Sequence, residues 1–382
     1  MAVYKLFPSQ DSTIYSFYST MNTGIDSILE VGNLNVNYNP VPQVSRYLIK
    51  FDQSEIEDII DNKVGEADFS SSLKNYIATA QGVIFDTELY IYPISGSWNN
   101  GSGTYLDSPF TENGVSWRYQ YYLNSDSWAT SGFNSYVTAS FAAGYDGGGT
   151  WYTGSDDPNN TNLEVTQSFT PRSHKDLNVN VTDTVKVWYS SSKNIGGYTD
   201  IQNNGFIVKW EDTIEFNESE AIQPIMQFYS VDTNTIYPPV LEIKWDDSSF
   251  ETGSLNEIST SDLFVSLDSN PGVFNLDSVN RFRLNVREQY PTRTFQTSSL
   301  YTTTKYLNSG SLYALKDLDT NEFVIDFDPE FTKISCDEDG NYFDIFMNGL
   351  EPERNYKILI KTTISGSTII KDDKYYFKVI NG

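Results

Sequence analysis

The chain of 382 residues contains one histidine and one cysteine, and this limits its chemistry before anything else does. His174 is the only imidazole that a serine or cysteine nucleophile could use as its base. It stands between Arg172 and Lys175 in a polar stretch and reads as an exposed loop residue. Cys336 has no histidine near it in sequence, so an activated thiolate is not indicated; it reads as a small residue in or near a core. One imidazole and one thiol cannot supply the usual nitrogen and sulfur ligands of zinc. Carboxylates are plentiful, with 51 Asp and Glu, but no spacing singles out an acid pair for glycoside hydrolysis. The run Gly144-Tyr145-Asp146-Gly147-Gly148-Gly149 lacks the Lys-Ser/Thr ending of a phosphate loop and precedes no helical pattern. The reading is therefore a protein that is not an enzyme.

Two patterns point to binding instead. Asp337-Glu338-Asp339-Gly340-Asn341 crowds oxygen donors into a short turn, which makes Asp337, Asp339 and Asn341 calcium candidates. The alternative is an acidic hairpin turn with Gly340 at positive φ. Trp117, Tyr119, Tyr121, Tyr122, Trp128, Trp151 and Tyr152 form an aromatic cluster that suits core packing, a protein interface or stacking on sugar rings. The interface or glycan candidates are Trp117, Tyr119, Tyr121, Trp128, Trp151 and Tyr152, followed by Arg293 and Phe295. The Asn-X-Ser/Thr sequons at Asn100, Asn159 and Asn217 matter only on a secretory route.

Composition narrows the partners. Acidic residues outnumber basic ones 51 to 25, a net charge of −26 that opposes nucleic acid and anionic lipid. No apolar run reaches the roughly 18 residues of a membrane span. Met1–Gln10 has no basic start followed by a long apolar block, so synthesis in the cytoplasm without a signal peptide is expected.

Placing these residues requires a β scaffold. Aromatics make up 15% of the chain, with 27 Tyr and 23 Phe, and such residues favour pleated surfaces. Short strands are expected at Val44–Phe51, Thr87–Tyr92 and Val179–Trp188, with Phe206–Trp210 and Leu241–Trp245 as paired inner strands. One helix is expected over Ser54–Lys63, capped by Ser54. Residues 95–157, rich in Gly, Tyr and Trp, read as a long insertion in a first domain spanning 1–245. An acidic linker is expected at 246–260, then a sandwich-sized second domain at 261–382.

Three resemblances rest on residue series. Asp11-Ser12-Thr13-Ile14, Asn22-Thr23-Gly24, Leu29-Glu30-Val31-Gly32 and Ser45-Arg46-Tyr47-Leu48-Ile49-Lys50-Phe51-Asp52 come first. Glu88–Tyr92, Trp98 with Trp117, Val181 to Trp188, Asn204-Gly205-Phe206 and Pro239–Ile243 follow in order. Together they resemble the DNRLRE-type jelly-roll domain, related to carbohydrate-binding modules. In that likeness Arg46 is placed to pair with Asp52 or another carboxylate at a strand edge. Gly349-Leu350-Glu351-Pro352 followed by Tyr356 resembles the corner of fibronectin-III or immunoglobulin-like sandwiches, where the tyrosine hydroxyl ties a turn down. The whole chain is similar to virion structural proteins of marine T4-like tailed phages, on Met21–Gly24, Pro291–Tyr301 and Asn348–Arg354.

The fold expected is all-β, a jelly-roll sandwich followed by an immunoglobulin/fibronectin-III-like sandwich. The phage resemblance implies a neck, tail or head-surface component. It would dock other virion proteins in repeated copies around a symmetric ring or surface, without a cofactor apart from the calcium candidate. The alternative is a carbohydrate-binding module that recognises a host surface glycan.

Overall fold

The computed structural model describes residues 2–34, 43–65, 68–128, 137–138, 147–153, 163–195, 201–217, 223–291 and 303–381. It is all-β and built of antiparallel sheets. Two compact units emerge: Leu6–Lys63 with Ser70–Glu242, and Met1–Lys5 with Val64–Phe69 and Ile243–Gly382. No helix among the described residues is long and apolar enough to cross a membrane.

The first unit is organised by an eight-stranded sheet. Its order is Val165–Phe169, Thr87–Pro93, Phe206–Trp210, Gln43–Lys50, Ile28–Leu34, Ile225–Tyr229 and Ile77–Gln81, with Gln10–Tyr15 also paired to Gln43–Lys50. Gln43–Lys50 is buried on both faces from Val44 to Ile49. Strand alternation sends Val44 and Leu48 into a core with Ile14, Ile207 and four tryptophans. Arg46 shares their parity. Tyr47 points the other way, against Phe228, and its hydroxyl accepts from Asn75 Nδ2 at 2.8 Å.

Three expectations are corrected here. Phe206–Trp210 does not pair with Leu241–Trp245: it lies between Gln43–Lys50 and Thr87–Pro93, whereas Val240–Trp245 belongs to a separate four-stranded sheet. The strand expected over Val179–Trp188 stops at Asn180, and Thr182–Lys193 is a helix. Val181, Val185 and Trp188 satisfy the i, i+4, i+7 spacing of a helix face as well as they suggest alternation. Asn180 Oδ1 settles the turn by accepting from both the amide and the hydroxyl of Thr182, at 2.9 and 2.6 Å. The first helix is Gln53–Ile59, continued by a π-helical turn, Ile60–Val64. Its cap is Asp52, not Ser54: the Asp52 carboxylate takes the Ser54 and Glu55 amides, as a stronger acceptor than a hydroxyl.

The second unit is a sandwich of two sheets. One runs Leu263–Leu267, Val279–Glu288, Gly340–Phe346, Ser335–Asp337. The other runs Val273–Asn275, Ser367–Ile380, Asn355–Ile364, Leu312–Asp317, Phe323–Ile325. Val273–Asn275 and the last strand, Ser367–Ile380, pair in parallel. Phe282, Phe343 and Tyr313 stack through the core, with Tyr313 and Phe343 rings 4.4 Å apart. The expected tyrosine corner is present: Tyr356 Oη donates to Glu351 O at 2.9 Å. Residues 246–260, read in the sequence as a linker, are strapped to this unit. Cys336 donates its amide to Ser249 O, Glu251 donates to Cys336 O, and Ile258 is buried in the core.

Asp11 is a buried acid of the first unit. Its carboxylate accepts the Val231 amide at 2.7 Å, and burial pushes its pKa up to about 7, with Asp232 adding repulsion. The native state therefore holds the proton over an interval where the unfolded chain has released it. Its contribution to stability falls as pH rises from about 4 to about 7. Asp11→Asn keeps an acceptor for Val231 and removes the titration. Thermal unfolding from pH 5 to pH 8 is expected to show a flatter pH dependence for Asp11→Asn than for the parent chain, and parallel curves would refute the assignment.

Candidate functional site

The aromatic residues singled out in the sequence do meet, but around a buried charge. Trp117 and Trp128 are 1% exposed and Trp151 is 3% exposed. Arg46 lies beneath them, its guanidinium 5.0 Å from the Trp117 ring centroid and 5.4 Å from that of Trp151. Its partner is Glu215, not Asp52: Nε donates to Oε1 at 2.9 Å and Nη2 to Oε2 at 2.6 Å, both side chains fully buried. Asp52 was unavailable because it caps a helix. Lys209 completes the cluster, 3.4 Å from Glu215 and 2.7 Å from Asp212. The remaining guanidinium donor, Nη1, bonds Gly148 O at 2.5 Å. A Cβ on Gly148 would come within 2.8 Å of both Arg46 Nη1 and the Trp117 ring, and its φ is +85°. The glycine run thus lets the insertion close over Arg46.

This cluster is a folding device. Trp117, Trp128, Trp151 and Tyr152 are buried and present no stacking face. Tyr119 and Tyr121 are half-buried in a small hairpin with Asp126–Ser127. Arg293 and Phe295 lie outside the described residues.

The exposed aromatic surface is elsewhere, and linear reading missed it. Tyr15 ends the strand Gln10–Tyr15, Phe17 and Tyr18 follow it, and Tyr105 and Phe110 reach them from the insertion. Tyr15 and Tyr105 rings are 5.2 Å apart, Tyr18 and Phe110 4.7 Å, and Phe17 and Tyr18 4.9 Å. Phe17 is 52% exposed, Tyr105 41%, Phe110 43% and neighbouring Leu106 89%. Only the crowding of Tyr15-Ser16-Phe17-Tyr18 hinted at it, because the second half arrives through tertiary contact.

Polar groups fix this surface from below. Asn22, fully buried, donates through Nδ2 to Asn100 O and Val115 O at 2.7 and 2.9 Å. Its Oδ1 accepts from the Gly103 and Gly24 amides at 2.8 and 3.3 Å. A Cβ on Gly103 would sit 2.3 Å from Asn22 O, so glycine is required for that approach. Asp26 accepts the Tyr105 amide at 3.0 Å, and Asp107 takes the hydroxyls of Thr104 and Thr111 at 2.8 and 2.5 Å. The Asn22-Thr23-Gly24 series therefore clasps two loops, while Thr23 Oγ1 bonds both the carbonyl and the amide of Thr13.

The acidic turn is the hairpin expected as the alternative to calcium. Asp337 pairs with Gly340, whose φ is +132°. Both Asp337 carboxylate oxygens meet Arg283, at 2.8 and 2.7 Å, and Arg283 holds the Asp337 carboxyl below its usual range. Asn341 is turned to Leu307 and Lys305, accepting from one and donating to the other. Asp337 and Asn341 thus spend their oxygens on protein partners, and Asp339 is 3.9 Å from Arg283. No group of three acidic, His or Cys side chains is arranged for a metal among the described residues. His174 is 80% exposed, beside Asp176. Burial pushes the Cys336 thiol up to about 11.

No protein-family model and no curated protein matches the chain. Among solved structures, a DUF4785 family protein from Legionella pneumophila aligns at 9% identity over 98% of this chain and 66% of its own, with a TM-score of 0.17.

Two outcomes follow from this geometry. Glu215→Gln leaves Arg46 without a full counter-charge and is expected to destabilise the chain by about 3 kcal/mol, whereas Arg46→Met with Glu215→Leu recovers most of that loss; chemical denaturation checks both. Asn22→Ala strands several buried backbone groups and is expected to cost about 3 kcal/mol. Denaturation midpoints within error of the parent would sink the clasp.

Proposed function

We propose that this chain is a non-catalytic structural protein of a tailed-phage particle that docks a neighbouring virion protein through the surface of Phe17, Tyr18, Tyr105 and Phe110. The observation that carries this reading is the exposed aromatic patch itself. It is contiguous, it stands on loops tied at Asn22, Asp26 and Asp107, and tyrosine-rich surfaces held rigid lose little entropy on binding. The whole-chain resemblance to phage virion proteins supplies the setting. The bordering carboxylates Asp26, Asp107 and Glu112 favour a partner with an apolar centre and basic rim. Copies set around a symmetric particle let a modest contact add up through avidity.

Immunogold microscopy of purified particles, with antibody against the recombinant chain, tests the setting. Label at the neck, tail or capsid is expected. The patch is tested by Tyr105→Ser with Phe110→Ser, which is expected to lower incorporation into particles about tenfold or more while the melting temperature holds. Unchanged incorporation overturns the patch, and absence of label and of virion peptides overturns the setting. Loss of binding to a host glycan by the same variant would favour the carbohydrate-binding alternative.

A further inference from the structure

The first unit holds a cavity of about 420 Å³ bordered by the helices Gln53–Ile59 and Thr182–Lys193 and by the residues that lead into Phe206–Trp210. Its wall is made by Gln53, Trp188, Ser191, Ser192, Gln202 and Asn203. Trp188, Ser191 and Ser192 stand at i, i+3 and i+4, on one face of their helix. The volume falls within the range of small-molecule sites, about 300–1,000 Å³.

The wall is held in place and leaves two polar atoms open. The Trp188 ring packs on Phe206, centroids 4.7 Å apart. Asn203 Nδ2 donates to Phe51 O at 3.1 Å, and its Oδ1 accepts the Gly205 amide at 3.1 Å. Gln53 Nε2 donates to Glu57 Oε1 at 3.0 Å. A carboxylate only accepts, so this bond sets the orientation of the Gln53 amide. Gln53 Oε1 is then buried without a partner, and so is the indole Nε1 of Trp188. A donor and an acceptor left open on one wall are the complement of a group that accepts and donates at once, which a hydroxyl does.

The wall is also neutral. No charged side chain lines it among the described residues. Lys193, next to Ser192, is spent on Glu57 and Asp61, at 3.3 and 2.8 Å. A phosphate, a carboxylate or an amine therefore finds no counter-charge here. Trp188 is 1% exposed and presents no free ring face, so a flat aromatic ligand has nothing to stack on. The chemistry that remains is an uncharged ligand rich in hydroxyls. We infer that this cavity binds one ring of a neutral sugar, whose hydroxyls accept from Trp188 Nε1 and donate to Gln53 Oε1, with Ser191 and the exposed Gln202 at the rim. The site shares no residue with the aromatic patch, so the two fail separately.

Saturation-transfer NMR on the full chain tests this, with glucose, galactose, mannose, N-acetylglucosamine and their disaccharides as probes in the millimolar range. Transfer to at least one of them is expected, with glucose 6-phosphate and glucosamine bound at least tenfold more weakly than the parent sugar. Gln53→Leu removes the acceptor and Ser191→Leu fills the cavity; each is expected to weaken binding by about tenfold or more, with melting temperatures showing that the variants are folded. Tyr105→Ser with Phe110→Ser is expected to bind like the parent. No transfer to any probe means that water alone fills the cavity and overturns the inference. So does transfer that both cavity variants leave unchanged, transfer that only the Tyr105 and Phe110 substitutions abolish, or equal binding of the charged analogues.

Discussion

The first unit turns on one buried interaction, the bidentate pair of Arg46 and Glu215. Two charges withdrawn from water are costly, and their attraction offsets that cost only when every donor and acceptor is met. The surroundings answer that demand. Gly148 brings a carbonyl to Nη1, Trp117 and Trp151 cover the guanidinium, and Lys209 stands beside the carboxylate. Glu215 sits at the end of the short helix Asp212–Glu215, which Asn33 Nδ2 ties down through Ile214 O. Strand, helix and insertion must all be in register before the pair forms. Its contribution is thus to uniqueness of the fold more than to its depth.

The same unit shows an inversion of the usual arrangement. Asn22, Thr23 and Asp11 are buried polar side chains, while Phe17, Tyr105, Leu106 and Phe110 remain in solvent. Each buried group is spent on backbone amides or carbonyls, so it stiffens loops that have no ladder of their own. A rigid loop can hold aromatic rings outward without collapse onto the core, and that is the physical condition for a surface ready to dock.

The second unit is stabilised by different means. A stack of Phe282, Phe343 and Tyr313 fills the space between two sheets, and Tyr356 fastens one corner. The stacked centre of this core is apolar and aromatic, and on the outer face of one sheet arginines stand beside tyrosine, phenylalanine and aspartate.

Much of this was legible locally. Period-two patterning located the strands around Arg46, Thr87–Pro93 and Phe206–Trp210; Leu350-Glu351-Pro352 with Tyr356 announced the corner; and Asp337 to Gly340 announced a hairpin. These depend on residues close in the chain, whose steric and hydrogen-bonding preferences act without knowledge of the rest. Partner choice was not legible. Val181–Trp188 satisfied two periodicities at once, Arg46 had 51 acidic residues to choose from, and the conspicuous tryptophans had no label for inside or outside. By itself the sequence determined that the chain forms β-sheets, keeps a large negative charge and brings one imidazole and one thiol. Tertiary structure decided which carboxylate meets Arg46, which aromatics are covered and which remain in water, because those outcomes depend on loops distant in sequence arriving at the same point in space.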